Sequence, residues 1–181
     1  MRRLITIAAL AAILTAGGGF ALSAWPVGKT VTLSGLEGDA ARGAYLARMS
    51  GCIACHTDSE DGGAPLAGGV QLETGFGTFH SPNLTTDDER GIGGWTPEMF
   101  AKAVRQGVSP EGEPYYPAFP YPFYSRFSDQ DIADLWAAFR TVPAVETASE
   151  PQDLRFPYSF RPALKAWRAL FLDLGPLEPM P

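Results

Sequence analysis

Cys52-Ile53-Ala54-Cys55-His56 concentrates more reactive chemistry than any other stretch of the chain. Two thiols three residues apart, with an imidazole directly after, suit three chemistries. They could form a redox-active dithiol, hold zinc with further ligands, or add to the two vinyl groups of one haem while the histidine takes the iron. A dithiol oxidoreductase wants a βαβ setting, and none is visible here. Zinc wants further Cys or His at ligand spacing. The sequence holds only two cysteines and one other histidine, His80. C-x-x-C-H is the attachment pattern of a c-type haem, and this reading stands ahead of the other two. With both cysteines in the motif, no other disulfide framework can form.

The elements that must position the motif can be read from caps and periodicity. A first helix is expected over Asp39–Ser50, with Asp39 as N-cap and Tyr45, Leu46 and Met49 on one face. It delivers the thiols to a helix end facing a pocket. A second is expected over Pro97–Gln106, capped by Thr96, started by Pro97 and stopped by Gly107, with an apolar stripe of Met99, Phe100, Ala103 and Val104. A third spans Asp129–Arg140, with Ser128 and Asp131 as a variant capping box and Pro143 enforcing the end. Its apolar face is Ile132, Leu135, Trp136 and Phe139. The fourth is expected over Pro162–Leu174, closed by Gly175-Pro176, with a stripe of Leu164, Trp167, Leu170, Phe171 and Leu174. Asp58–Gly94 reads as loop with at most a short extended piece. Pro114–Tyr124, with four prolines and six aromatics, reads as non-helical. The class expected is all-α, with long loops wrapped around a cofactor.

At 181 residues the chain suits one cored domain. Its formal charge of −6 speaks against nucleic acid as a partner. Arg2 and Arg3 precede 21 uncharged residues, Leu4 to Ala24. This is an export segment, either cleaved near Ala21-Leu22-Ser23 or retained as an anchor. In both cases the remainder is expected on the periplasmic side of an inner membrane. The organisation is therefore 1–24 signal peptide or anchor, 25–37 linker, 38–142 haem domain and 143–181 C-terminal extension with one helix.

Gly38-Asp39-Ala40-Ala41-Arg42-Gly43-Ala44-Tyr45, followed by the haem motif, resembles the first helix of class I cytochromes c. Ser128-Asp129-Gln130-Asp131-Ile132 with Leu135-Trp136 resembles their last core helix. Phe76-Gly77-Thr78, Ser81-Pro82-Asn83-Leu84-Thr85, Gly91-Ile92-Gly93-Gly94-Trp95 and Tyr116-Pro117-Ala118-Phe119-Pro120-Tyr121 are more particular. They resemble the haem domains of cytochrome c subunits of membrane-bound alcohol and gluconate-type dehydrogenases. The resemblance covers about Gly38 to Val142, and the tail Phe156 to Leu174 is similar to one in related single-haem cytochromes.

The resemblance implies a helical domain around one covalent haem c, with Gly43 letting the first helix approach the helix bearing Trp136. It implies that the Pro65 carbonyl accepts a hydrogen bond from the proximal His56, and that Trp95 and Tyr116 reach a propionate or, equally, pack in the core. It implies an electron donor among periplasmic or membrane-bound dehydrogenases and an acceptor in the respiratory chain.

The sequence departs from the family at the sixth iron ligand. The positions where the family carries methionine hold Phe119 and Phe127. His80 as ligand and an open site walled by these phenylalanines are the two main readings, with Met99, otherwise read as core packing, behind them. An open site would suit a ligand-binding or sensing protein, or a small haem enzyme with His80 as distal base. No nucleophile–base pair stands out, so no catalytic residue is assigned and the chain reads more as carrier than catalyst. The acid run Asp87-Asp88-Glu89 reads as solvated loop, its spacing with Asn83 giving no support for calcium. The last helix is expected to dock on the domain.

Overall fold

The computed structural model describes residues 25–33 and 35–174, together with 3, 5–7, 10 and 17–19. Most of the N-terminal apolar run, and Gly175-Pro176 and Met180, lie outside the described residues. Among the described residues no helix is long and apolar enough to cross a membrane.

Helix α1 (Ala40–Met49) starts where Asp39 accepts hydrogen bonds from the Ala41 and Arg42 N–H groups. After Gly51, in the left-handed conformation that glycine tolerates, the chain turns into the short α2 (Cys52–His56). Helix α3 (Pro97–Gln106) carries Pro97 in its first turn, a Thr96 cap on the Met99 N–H and Gly107 at φ 59° as its stop. Helix α5 (Asp129–Phe139) closes its N-terminus with a reciprocal Ser128–Asp131 capping box.

Helices α1 and α5 cross in close contact because Gly43 lacks a side chain. A Cβ there would stand 1.8 Å from the Asp134 carbonyl oxygen. The face of α1 that meets α5 is therefore Gly43 and Ala47, while Tyr45 and Met49, two of the three apolar residues expected on one face, are exposed. Ile132, Leu135 and Phe139 of α5 join Phe100 and Ala101 of α3, Ile92 and Leu66 in one core. Leu33 belongs to it too, so residues 25–37 are not merely a linker. Met99 is 37% exposed, on the outer side of its helix rather than in the core.

Asp134 is a polar group buried at this crossing, 1% exposed. Its carboxylate accepts from the Asp39 N–H at 2.8 Å, from Gln130 at 2.7 Å and from the Arg42 guanidinium. Burial alone would raise its pKa. These donors outweigh burial and hold the group below the usual aspartate range. A depressed folded-state pKa contributes stability that is present above the unfolded value, near 3.9, and is lost as pH falls through the folded one. Asp134→Asn is expected to cost about 2 kcal/mol at pH 7. Its stability should then fall less between pH 5 and 2 than that of the wild type, in urea titrations run across that range. Parallel acid limbs for the two proteins would refute this role.

Two features depart from the all-α expectation. Strands β1 (Gln71–Thr74) and β2 (Gly77–His80) form a hairpin, and β3 (Asp153–Leu154) adds to β2 from the C-terminal extension, all antiparallel. These strands are short and largely solvent-accessible on both faces, so they leave no alternating pattern to read. The second feature is a helical turn, α4 (Tyr121–Tyr124), inside the proline-rich segment. Pro122 falls in its first turn, where a missing N–H costs nothing.

The last helix of the extension among the described residues is α6 (Pro162–Phe171), three residues shorter than its apolar stripe suggested. Leu164 is buried and Arg168 donates to the Gln106 and Gly107 carbonyls, so α6 docks on the end of α3. Leu170 and Phe171, expected in the buried stripe, are exposed.

Candidate functional site

Cys52 and Cys55 sit three residues apart on α2, the spacing that places side chains on one helix face. Both are free thiols, Cys52 half-buried and Cys55 exposed. Burial pushes the Cys52 thiol up to about 11, so it stays protonated at neutral pH. His56 follows at the helix end, and its Nδ1 lies 2.9 Å from the Pro82 carbonyl. Burial lowers the imidazole pKa, with the Pro82 carbonyl acting against it, so the ring is neutral at pH 7. With Nδ1–H committed to Pro82, the lone pair is on Nε2.

The arrangement fits a c-type haem. A thiol S–H adds across each vinyl C=C to give a thioether, and a neutral imidazole offers one nitrogen to iron while the other is fixed by a carbonyl. The acceptor is Pro82, however, and not Pro65. Pro65 is exposed. Gly68 explains the difference. At φ 79° and without a side chain, it lets the Ser81–Asn83 backbone press against it, where a Cβ would be 2.6 Å from the Ser81 carbonyl oxygen. Gly68 N–H in turn donates to the His56 carbonyl at 2.9 Å, which brings that backbone to the histidine.

His80 is held from the C-terminal extension. Gln152 clamps its backbone, donating to the His80 carbonyl and accepting from the His80 N–H, each at 2.9 Å. Its Nδ1 stands 3.1 Å from Glu150 Oε2, an ion-pair distance without hydrogen-bond alignment. The strand that carries it leads into Pro82, the wall on the Nδ1 side of His56. Tyr116 is likewise held by the extension: its hydroxyl donates to the Tyr158 carbonyl at 2.9 Å, and Arg161 covers its ring. Trp95 packs on the hydrophobic core. Asp87 of the acid run accepts from the Glu89 and Arg90 N–H groups, as an ordinary turn does.

The two phenylalanines in the place of methionine belong to an aromatic cluster. Phe119 lies 5.7 Å from Tyr124, which stacks on Phe127 at 5.6 Å. The Tyr124 hydroxyl donates to the Ser50 carbonyl at 2.6 Å. Burial, then the nearby Cys52 and Cys55, push its pKa up to about 12, which ties the cluster to the haem motif.

A family model described as "Cytochrome c" matches residues 40–140. The chain belongs to the cytochrome c family. Membership implies a covalent haem c, for which Cys52, Cys55 and His56 have the chemistry just described. The chain is 42% identical to a diheme cytochrome c-type protein of Cereibacter sphaeroides over 94% of its own length and 58% of that protein. It is 45% identical to the cytochrome c subunit of a quinone alcohol dehydrogenase of Gluconobacter oxydans, over 72% of this chain and 27% of that subunit. Against the gluconate 2-dehydrogenase cytochrome c subunit of Pantoea cypripedii it is 44% identical, over 76% and 31%. The chain thus spans little more than half of the first relative and under a third of the other two.

Residues that the sequence reading passed over are Arg42, Asp134 and Ser149. An aspartate between Ala133 and Leu135 on an apolar helix was the one signal available for Asp134. Ser149, in a loop without pattern, offered none.

Proposed function

We propose that the chain is a monohaem c-type electron carrier, accepting electrons from a dehydrogenase on the periplasmic side of the membrane and passing them toward a respiratory acceptor. The observation that carries this reading is the α2 site: two free thiols on one face and a neutral His56 whose Nδ1 is already bound to Pro82. Haem supplies one-electron iron chemistry when bound there. The chain's own residues would hold it by Cys52 and Cys55 and orient it through His56. The relatives that are cytochrome c subunits of dehydrogenases support a dehydrogenase as donor. The export segment Leu4–Ala24 supports the compartment, because haem c is attached outside the cytoplasm.

A second reading has its own support. Phe119 and Phe127 cannot bind iron, and the backbone of His80 is tied to Gln152 of the extension. A sixth site without a protein ligand would admit carbon monoxide, nitric oxide or cyanide, as in a sensing protein or small haem enzyme. Absorption spectra of oxidised and reduced protein, the reduced form with and without carbon monoxide, separate the two. The expected spectrum lacks the red band of His/Met ligation. A reduced spectrum unmoved by carbon monoxide supports a closed carrier site, and a high-spin spectrum that shifts moves the ligand-binding reading ahead.

A further inference from the structure

The carbonyl that receives His56 Nδ1–H belongs to the peptide group between Pro82 and Asn83. The N–H of that same peptide group donates to Ser149 Oγ at 3.0 Å. Ser149 lies in the C-terminal extension, far from His56 in sequence, yet a single planar peptide separates their hydrogen bonds. A peptide whose N–H is engaged is more polarised and accepts more strongly at its oxygen.

Asn83 fixes the extension at this point. It is 3% exposed, and every polar atom of its side chain is used. Nδ2 donates to the Val145 carbonyl at 2.7 Å and to the Thr147 carbonyl at 2.9 Å, while Oδ1 accepts from the Thr85 N–H at 2.8 Å. Thr85 Oγ1 then accepts from the Val145 N–H at 3.1 Å. Further along, Gln152 clamps His80 and β3 pairs with β2. The extension therefore lies along the segment that presents Pro82, and Gly68 is pressed against the Ser81–Asn83 backbone of that segment. Neither the Cys-x-x-Cys-His motif nor an electron-carrier role requires any of this.

We propose that Ser149 and Asn83 are positioning residues for His56, through which the C-terminal extension sets the orientation and electron richness of the iron's proximal ligand. The proposal rests on the haem reading given above. A strongly accepting Pro82 carbonyl pulls the Nδ1 proton, makes the ring a better donor to iron and favours the oxidised state. Releasing the peptide has the opposite effect and raises the reduction potential.

The test uses full-length holoprotein of the wild type and of Ser149→Ala, Ser149→Thr, Asn83→Ala and Asp134→Asn. Haem attachment is read from the pyridine haemochrome, the potential by spectroelectrochemical titration and the fold by circular dichroism. Ser149→Ala is expected to shift the potential upward and Ser149→Thr to restore it, since the hydroxyl returns. Asn83→Ala should shift it further in the same direction. Asp134→Asn, which loosens the α1–α5 crossing instead, should melt earlier with the wild-type potential. An unmoved or lowered potential in Ser149→Ala, with haem attached, overturns the proposal, even where Asn83→Ala does not fold. Wild-type protein lacking covalent haem overturns the haem reading itself, and this proposal with it.

Discussion

Replacing Cys52 and Cys55 together by Ser will give a protein from which acid–acetone removes all haem, whereas the wild type retains it. A hydroxyl does not add to a vinyl group as a thiol does, so both thioether bonds are lost. Each single replacement leaves one bond, and extraction should then fail while the pyridine haemochrome band moves to longer wavelength. The geometry makes this the largest chemical effect available in the chain, because both sulfurs and His56 lie within the five-residue helix α2. His56→Ala differs in kind. Its thioethers can still form, but the imidazole held by Pro82 is gone, and the spectrum should turn high-spin. A double-serine variant that keeps a c-type haemochrome after extraction would refute the assignment.

The parts of this site that could be read from sequence are those governed by local rules. Asp39, Thr96 with Pro97, Gly107, and Ser128 with Asp131 are caps whose effect reaches only a turn or two, and they mark α1, α3 and α5 correctly. The C-x-x-C-H spacing is local in the same sense. What could not be read depends on contacts between segments distant in sequence. The choice of Pro82 over Pro65 as the partner of His56 is made by Gly68 and the backbone it admits. The sheet needs Asp153 and Leu154, which arrive from some 75 residues beyond Gly77 and Thr78, and its strands are too exposed to carry a periodic signal. Nothing local shows that His80 is held from the extension, where Gln152 binds its backbone and Glu150 stands 3.1 Å from its Nδ1. The apolar residues Tyr45 and Met49 share a face of α1 in the sequence, yet both are exposed. The buried face proved to be the small residues, Gly43 and Ala47. Close helix packing selects for the absence of side chains, and a hydrophobicity pattern does not see that.

Gly43 is where this packing can be tested most severely. Gly43→Ala should destabilise the holoprotein by about 3 kcal/mol and lower its melting temperature by about 10 °C. By intrinsic propensity alone the substitution would help, since alanine in a helix is favoured over glycine by about 1 kcal/mol. Sterics decide otherwise. The new Cβ would lie 1.8 Å from the Asp134 carbonyl oxygen, 2.4 Å from its carbon and 2.9 Å from Ala138 Cβ. Two of those atoms are backbone, so no rotamer change relieves the clash, and α1 and α5 must separate. Separation loosens the grip of Asp134 on the Asp39 N–H and on Arg42. It also displaces the end of α1, which runs through Ser50 and Gly51 straight into Cys52. The melt should therefore fall by both circular dichroism and haem absorbance, while haem stays covalently attached, because the thiols and His56 are unchanged. A Gly43→Ala protein that melts with the wild type would mean that α1 and α5 do not cross at Gly43.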